Sequence, residues 1–171
     1  MGTVVHRFLQ HFVGTLEDAT DTTVQARYRD LGRQWLRGLG VPGEHLEAAV
    51  DKIQEALGTV LGDARGRWIL DPAHREARNE YALSGVLGGR VWHLVLDRTF
   101  VDADGTRWII DYKTGSHAGG GREEFLDREQ ERYRAQLERY AALLRKIDPR
   151  PIRLGLYFPL MAAWREWGLD E

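Results

Sequence analysis

The apolar residues in the first part of the chain recur every three or four positions. This spacing puts them on one face of a helix, and it predicts helices over about residues 5–16, from 22 or 23 to 39, and from 42 to 57. Glycines indicate a break over residues 62–66, before the turn at Asp71-Pro72. We therefore expect residues 1–66 to form a mainly helical part.

The pattern changes to a period of two in the second part of the chain. It predicts strands over residues 79–87, 90–101 and 106–113. Gly88-Gly89 separates the first two strands, and Ala103-Asp104-Gly105 separates the second from the third. Short connections of this kind are typical of β-hairpins, so we expect three consecutive antiparallel strands.

A glycine-rich loop over residues 114–121 precedes the last predicted elements. These are a long helix over 125–147, a strand over 152–158 and a short strand over 164–167. The apolar stripe of the long helix predicts an inward face made of Tyr133, Leu137, Tyr140, Leu144 and Ile147. The order of helices followed by β-β-β-α-β predicts a mixed α/β (α+β) fold with flanking helices.

The length and composition favour a single domain over residues 1–171. A chain of 171 residues with 43% hydrophobic content can bury a sizeable core. The formal net charge is −2, so the protein as a whole does not attract nucleic acid. Binding to DNA would need local arginines, a metal ion or a partner protein.

The residue types that are missing exclude several classes of site. The chain has no cysteine, which excludes disulfides, thiol catalysis, zinc–thiolate sites and iron–sulfur clusters. No apolar stretch has the length of a membrane span, and the first residues do not have the form of a signal peptide. The expectation is a cytoplasmic protein with no membrane partner.

The most informative chemistry is the sequence Asp111-Tyr112-Lys113 at the end of an apolar strand. Side chains two residues apart on a strand point to the same face, so the carboxylate of Asp111 and the ammonium of Lys113 are expected side by side. Carboxylates bind hard cations, and a nearby ammonium offsets charge on a phosphate under attack by water. Taken alone, such a pair also fits a surface ion pair.

Asp97 can join this pair only if the connection before Arg107 has the right length. A plain two-residue turn would place Asp97 opposite Tyr112, because side chains alternate between the two faces of a strand. One extra residue, with Gly105 in the left-handed conformation, brings Asp97 to the face of Asp111. We therefore predict a loop of odd length or a bulge at Gly105.

Four further positions are candidates with equally simple structural explanations. His6 is a possible metal ligand on the first predicted helix, or a histidine at the edge of the core. Gln136 and Tyr140 share a helix face, which also fits a packed tyrosine beside a half-exposed glutamine. Glu80, at the start of its predicted strand, is an additional acidic group of the site or a solvated strand end.

These motifs occur in an order that resembles a known family. In sequence they are Gly2-x-x-x-His6, Leu96-Asp97-Arg98-Thr99, Ile110-Asp111-Tyr112-Lys113-Thr114-Gly115 and Gln136-x-x-x-Tyr140. The set resembles the RecB-like nuclease domain of the PD-(D/E)XK superfamily, found at the C-terminus of UvrD/RecB-type helicase–nucleases. The resemblance implies a single nuclease domain whose residues 67–171 form a restriction-endonuclease-like catalytic core. It also implies that the chain is the C-terminal fragment of a longer helicase–nuclease.

The resemblance also implies a role for each matching residue. The catalytic residues would be Asp97, Asp111 and Lys113, and the metal ligands would be His6, Asp97, Asp111 and the carbonyl of Tyr112. The residues that bind DNA or support the site would be Gln136, Tyr140, Arg98 and Glu80. The chain departs from the family at Leu94, where glycine is frequent. The implied cofactor is Mg²⁺, for which Mn²⁺ can substitute.

The resulting functional hypothesis is a metal-dependent DNA nuclease of the exonuclease V type. Its partners would be DNA, as single strands or ends, and a helicase motor active in double-strand break repair and recombination. The chain has no Gly-x-x-x-x-Gly-Lys motif, so any ATP-hydrolysing motor lies elsewhere. Two alternatives remain open: a catalytically inactive nuclease-like module that binds DNA or docks on a helicase, and a small-molecule phosphoesterase.

Overall fold

The computed structural model describes residues 22–115 and 121–169. The first predicted helix and His6 lie outside the described residues, as does most of the glycine-rich loop. The chain divides into two compact units, one largely helical up to Pro72 and one that contains the sheet. Among the described residues, no helix is long and apolar enough to cross a membrane.

The helical unit contains α1 (Thr22–Gly38), α2 (Gly43–Gly62) and α3 (Ala64–Leu70). The two longer helices confirm the predictions for this region. The break predicted over residues 62–66 is present at Asp63 but is shorter than predicted, because α2 ends at Gly62 and α3 begins at Ala64. The Asp63 carboxylate accepts a hydrogen bond from Gly66 N at 3.0 Å and so caps the new helix.

The sheet unit contains one five-stranded mixed sheet in the order β1-β2-β3-β4-β5. The strands are β1 (Arg75–Leu87), β2 (Arg90–Val101), β3 (Arg107–Tyr112), β4 (Ile152–Phe158) and β5 (Ala163–Gly168). All neighbours are antiparallel except β3 and β4, which are parallel. Parallel strands need a crossover connection, and α4 (Arg122–Leu144) provides it. The predicted mixed fold with a β-β-β-α-β core is confirmed.

Helix α4 packs against the sheet through the stripe that the sequence predicts, with one exception. Leu137, Tyr140 and Leu144 are buried. Ile147 is 64% exposed, so its predicted place on the inward face is wrong. The helix ends at Leu144, and beyond that residue helical spacing no longer decides which side chains face the sheet.

The connection between β2 and β3 has the odd length that the position of Asp97 requires. Asp102 N donates to Thr106 O at 3.0 Å, which closes a loop of three residues. Gly105 has a φ of +85°, the left-handed conformation that glycine adopts without steric cost. Arg98 pairs with Ile110 in the ladder, and continuing this register brings Asp97 in line with Asp111. The prediction for this loop is therefore confirmed.

Candidate active site

Asp97 is tied to β3 through its side chain. The β2–β3 ladder ends at the pair Arg98 and Ile110. One residue further, the Asp97 Oδ2 atom accepts a hydrogen bond from Tyr112 N at 2.9 Å. Because a buried backbone N–H needs an acceptor, the carboxylate takes the place of a ladder partner. This bond brings the first acidic residue next to the Asp111-Tyr112-Lys113 segment.

Asp111 and Lys113 form an ion pair at the end of β3. The Lys113 Nζ atom lies 2.6 Å from Asp111 Oδ2, so the two side chains share a face as their spacing predicts. Asp111 is only 5% exposed, and a buried carboxylate requires such a partner. Lys113 N also donates to Tyr157 O of β4 at 2.8 Å, which holds the end of β3 in place. The ion pair is therefore built on a fixed backbone.

Gln136 and Tyr140 of α4 contact each other close to the acidic residues. Gln136 Nε2 donates to the Tyr140 hydroxyl at 2.7 Å. Burial raises the pKa of that hydroxyl, the hydrogen bond from Gln136 lowers it, and the negative charges of Asp111 and Asp97 raise it. Tyr140 therefore lies within electrostatic range of both carboxylates. Helix α4 thus forms one wall of the site.

The side chains of this site match the needs of a divalent metal only in part. Two carboxylates on neighbouring strands are the oxygen donors that Mg²⁺ prefers, and Asp97 and Asp111 fit that chemistry. Among residues 22–115 and 121–169, no group of three acidic or histidine side chains could hold a metal ion. The predicted third ligand, His6, lies outside these ranges.

Comparison with protein families gives one match, which covers nearly the whole chain. Residues 1–163 match the model of the PD-(D/E)XK nuclease superfamily. The chain belongs to the PD-(D/E)XK nuclease superfamily. A search of curated proteins found no match.

The superfamily's name describes a motif that this chain contains with one replacement. Asp111-Tyr112-Lys113 has the form (D/E)XK, and Leu96-Asp97 has the form PD except that leucine stands in place of proline. The geometry described above brings these two segments together, because Asp97 accepts a hydrogen bond from the backbone N–H of Tyr112. The (D/E)XK lysine faces its own aspartate across one residue.

Arg98, next to the PD-(D/E)XK aspartate, is in a position to support the site. It is fully buried, and its Nη1 donates to Asn79 Oδ1 at 2.8 Å. Burial raises the pKa of the Tyr112 hydroxyl, while the positive charge of Arg98 lowers it and the negative charge of Asp97 raises it. Arg98 and Tyr112 therefore form a buried layer, and a fully buried guanidinium does not reach DNA.

Glu80 lies across from the PD-(D/E)XK aspartate on the neighbouring strand. The pairs Asn79 with Arg98 and Tyr81 with Leu96 flank it, which brings Glu80 in line with Asp97. Its side chain is exposed, and its φ is +46°, which is strained for a residue with a side chain. Since no three acidic groups of the described residues could hold a metal, Glu80 does not complete a metal site with the two aspartates.

Sequence analysis missed one contact of this PD-(D/E)XK site. The Lys113 Nζ atom lies 3.5 Å from the centroid of the Tyr133 ring, which is a cation–π distance. The sequence does contain a signal for this contact. Tyr133 is three residues before Gln136 and seven before Tyr140, so all three lie on one helix face. We had assigned Tyr133 only to the inward stripe of the helix.

Proposed function

We propose that this chain is a metal-dependent DNA nuclease that hydrolyses phosphodiester bonds. The observation that carries the proposal is the hydrogen bond from Tyr112 N to Asp97 Oδ2, since it joins the two halves of the superfamily motif at one place. Membership of the PD-(D/E)XK nuclease superfamily supports the same reaction. We propose Mg²⁺ as the cofactor, with Mn²⁺ as a substitute.

Each residue of the site has a role in this proposal. Asp97 and Asp111 would hold the metal, together with His6 and the Tyr112 carbonyl. A bound divalent ion lowers the pKa of water and stabilises negative charge on the phosphate. The Lys113 ammonium, 2.6 Å from Asp111, would then orient the attacking water and offset the charge of the transition state. Gln136 and Tyr140 would support the acidic pair and contact the DNA strand.

The finer function that we propose is that of a RecB-like exonuclease. It would act on DNA ends or on strands unwound by a helicase, in double-strand break repair and recombination. The net charge of −2 supports the dependence on a partner, because a near-neutral protein gains little from electrostatic steering toward DNA. A helicase in the same or a partner chain would deliver the strand to the site.

The alternative is a catalytically inactive module that binds DNA or docks on a helicase. The observation that favours it is the close ion pair between Lys113 and Asp111, which stabilises the site without a metal. The two functions differ in one measurable property, metal-dependent cleavage.

The test is cleavage of end-labelled single-stranded DNA by the purified protein, titrated with Mg²⁺ or Mn²⁺. We expect cleavage that requires the metal and stops with a chelator. Lys113→Gln should lower the rate about a hundredfold, which corresponds to roughly 3 kcal/mol of transition-state stabilisation. Asp111→Asn should lower it at least as much.

Matched variants control for the change of residue type. Asp104→Asn changes an exposed aspartate in the loop between β2 and β3, and Lys52→Gln changes an exposed lysine of α2. Both should cleave at the wild-type rate. DNA binding without cleavage under any metal condition would favour the inactive module. Cleavage of a short phosphodiester but not of DNA would favour a phosphoesterase.

A further inference from the structure

The ammonium of Lys113 lies between two partners of different kinds. Asp111 Oδ2 is 2.6 Å from Nζ, and the centroid of the Tyr133 ring is 3.5 Å from it. The Lys113 side chain is 17% exposed, so these contacts form in a partly desolvated place. Cation–π attraction is stronger there than in water.

The attraction of the two partners for the Lys113 ammonium would differ during the proposed reaction. A carboxylate that binds a metal shares its negative charge with that metal, and its attraction for Lys113 falls. The Tyr133 ring keeps its attraction, because its π electrons do not bind hard cations such as Mg²⁺ in place of oxygen ligands. A lysine side chain on four flexible carbons needs such a second contact to stay in one position.

We propose that Tyr133 is a positioning residue that holds the Lys113 ammonium at the site, where Asp111 would share its negative charge with a bound metal. This inference rests on the proposed nuclease function. The π face attracts the charge without accepting one N–H group in a fixed direction, so the ammonium keeps its donors for water and phosphate. Tyr133 thereby preserves the geometry of Lys113 at the step where the ion pair weakens.

Helix α4 supports this assignment through its spacing. Tyr133, Gln136 and Tyr140 lie at i, i+3 and i+7, on one stripe of the helix. The ring at the first position contacts Lys113, and the Tyr140 hydroxyl, which bonds to Gln136, lies within electrostatic range of Asp111. One rigid helix face therefore serves both members of the ion pair. A second cation, Arg132, is farther from the same ring at 5.2 Å.

The first test is nuclear magnetic resonance of the protein with lysine labelled at the ε carbon. The chain has three lysines, so each signal can be assigned by substitution of Lys52, Lys113 or Lys146. We expect the Lys113 ε protons to be shifted upfield by the ring current, in the absence of metal and with saturating Mg²⁺. The shift should disappear in Tyr133→Leu and remain in Tyr133→Phe. Loss of the upfield shift in the wild-type protein on Mg²⁺ saturation would overturn the inference.

The second test separates catalysis from substrate binding. Tyr133→Leu should lower kcat about tenfold with KM within twofold, since roughly 1.4 kcal/mol of positioning is lost in the transition state. Tyr133→Phe should restore kcat, because it keeps the π face. Phenylalanines with one, two and three fluorine atoms at position 133 should lower kcat stepwise, since fluorine withdraws the π electrons that attract the cation.

The control is the same substitution at another cation–π contact of the sheet unit. Tyr81 lies under Arg78 at 5.0 Å and lines a separate cavity of about 220 Å³. Tyr81→Leu should leave kcat unchanged. A wild-type protein that cleaves DNA and a Tyr133→Leu variant with the same kcat would refute the positioning role alone. A wild-type protein without metal-dependent cleavage would refute the proposed function, while the resonance of Lys113 would still test the contact.

Discussion

The two ends of β3 carry charged clusters that are built in different ways. The site cluster (Asp97, Asp111 and Lys113) lies at the C-terminal end. The ionic cluster at the N-terminal end consists of Glu76, Arg107, Asp148 and Arg150. Arg107 and Asp111 are four residues apart, about 13 Å at roughly 3.3 Å per residue. The same strand therefore presents two sets of acids to different partners.

In the ionic cluster, each acid contacts both arginines. Arg107 donates to Asp148 at 2.8 Å and to Glu76 through a further short contact. Arg150 contacts Glu76 at 2.6 Å and Asp148 at 3.3 Å. The side chains of Arg107 and Asp148 are only 7% and 8% exposed. Forked guanidinium groups hold carboxylates with two bonds at a time, so this cluster is fixed.

In the site cluster, the acids contact weaker and more exchangeable groups. Asp97 accepts a hydrogen bond from the backbone N–H of Tyr112, and Asp111 pairs with the ammonium of Lys113. A lysine is one movable charge, and it releases a carboxylate more readily than two arginines do. The comparison teaches that the kind of cation opposite an acid distinguishes the structural ion pairs of this protein from its proposed reaction site.

The largest effect that should distinguish the two clusters is a loss of protein stability when the ionic cluster is disrupted. Arg107→Gln leaves the buried carboxylate of Asp148 with one partner fewer, and should lower the free energy of unfolding by about 3–5 kcal/mol. Asp111→Asn should lower it by less, since the Lys113 ammonium that loses its partner is 17% exposed and also contacts the Tyr133 ring. Urea unfolding measures both.

A matched control for this prediction is Arg153→Gln. Arg153 pairs with Glu166 at 3.4 Å, but both side chains are about one-third exposed. The cost should stay below about 1 kcal/mol, as for other partly exposed pairs. Equal losses in Arg107→Gln and Asp111→Asn would show that the two clusters do not differ as described.

The second effect is the stabilisation that a metal provides. Mg²⁺ at a hundred times its dissociation constant should raise the free energy of unfolding by about 2.7 kcal/mol, since it binds only the folded site. Asp111→Asn should remove this gain, and Arg107→Gln should keep it. Thermal unfolding with and without Mg²⁺ measures the difference. An undiminished gain in Asp111→Asn would place the ion elsewhere.

A smaller effect is expected from the strained backbone beside the site cluster. Glu80 has a φ of +46°, which costs a residue with a side chain roughly 1 kcal/mol more than glycine. Glu80→Gly should therefore be more stable than Glu80→Ala by about 1 kcal/mol. The comparison of these two variants cancels the loss of the carboxylate. Equal unfolding midpoints would mean that the strain is relieved in solution.

The smallest effect is the pH dependence of the ionic cluster. Hydrogen bonds from Arg150 and Arg107 lower the pKa of Glu76 to about 2, from an ordinary value of 4.5. A lowered pKa in the folded state stabilises the protein above pH 4.5, and this stabilisation is lost as the pH falls from 4.5 toward 2. Glu76→Gln should make the free energy of unfolding less dependent on pH in this window. The exposed carboxyl limits the size of the change.

The parts of the fold and site that depend on local period were predictable from sequence. Strand alternation relates Asp97, Asp111 and Lys113, and the parity argument at Gly105 needed only the period of two. The helix spacing of Gln136 and Tyr140 similarly implied one shared face. These inferences depend on residues within one element or on two strands joined by a short loop.

Contacts between distant segments could not be predicted in the same way. The ionic cluster joins β1, the start of β3 and the segment after α4, and no local pattern relates those segments. The contact of Tyr133 with Lys113 depends on how far α4 is displaced along the sheet, which spacing does not determine. The helix at Ala64 was missed because the capping side chain of Asp63 outweighs the neighbouring glycines.

The hydrogen bond from Tyr112 N to Asp97 means that this aspartate has two roles. It accepts the hydrogen bond of the Tyr112 amide, which lies beyond the end of the β2–β3 ladder, and it would provide a ligand for the proposed ion. A related domain without hydrolytic activity could replace Asp111 with little loss of stability. Loss of Asp97 would leave the Tyr112 amide without its acceptor. In related domains that have lost other residues of the site, the presence of Asp97 would therefore say little about nuclease activity. The presence of Asp111 would say much more.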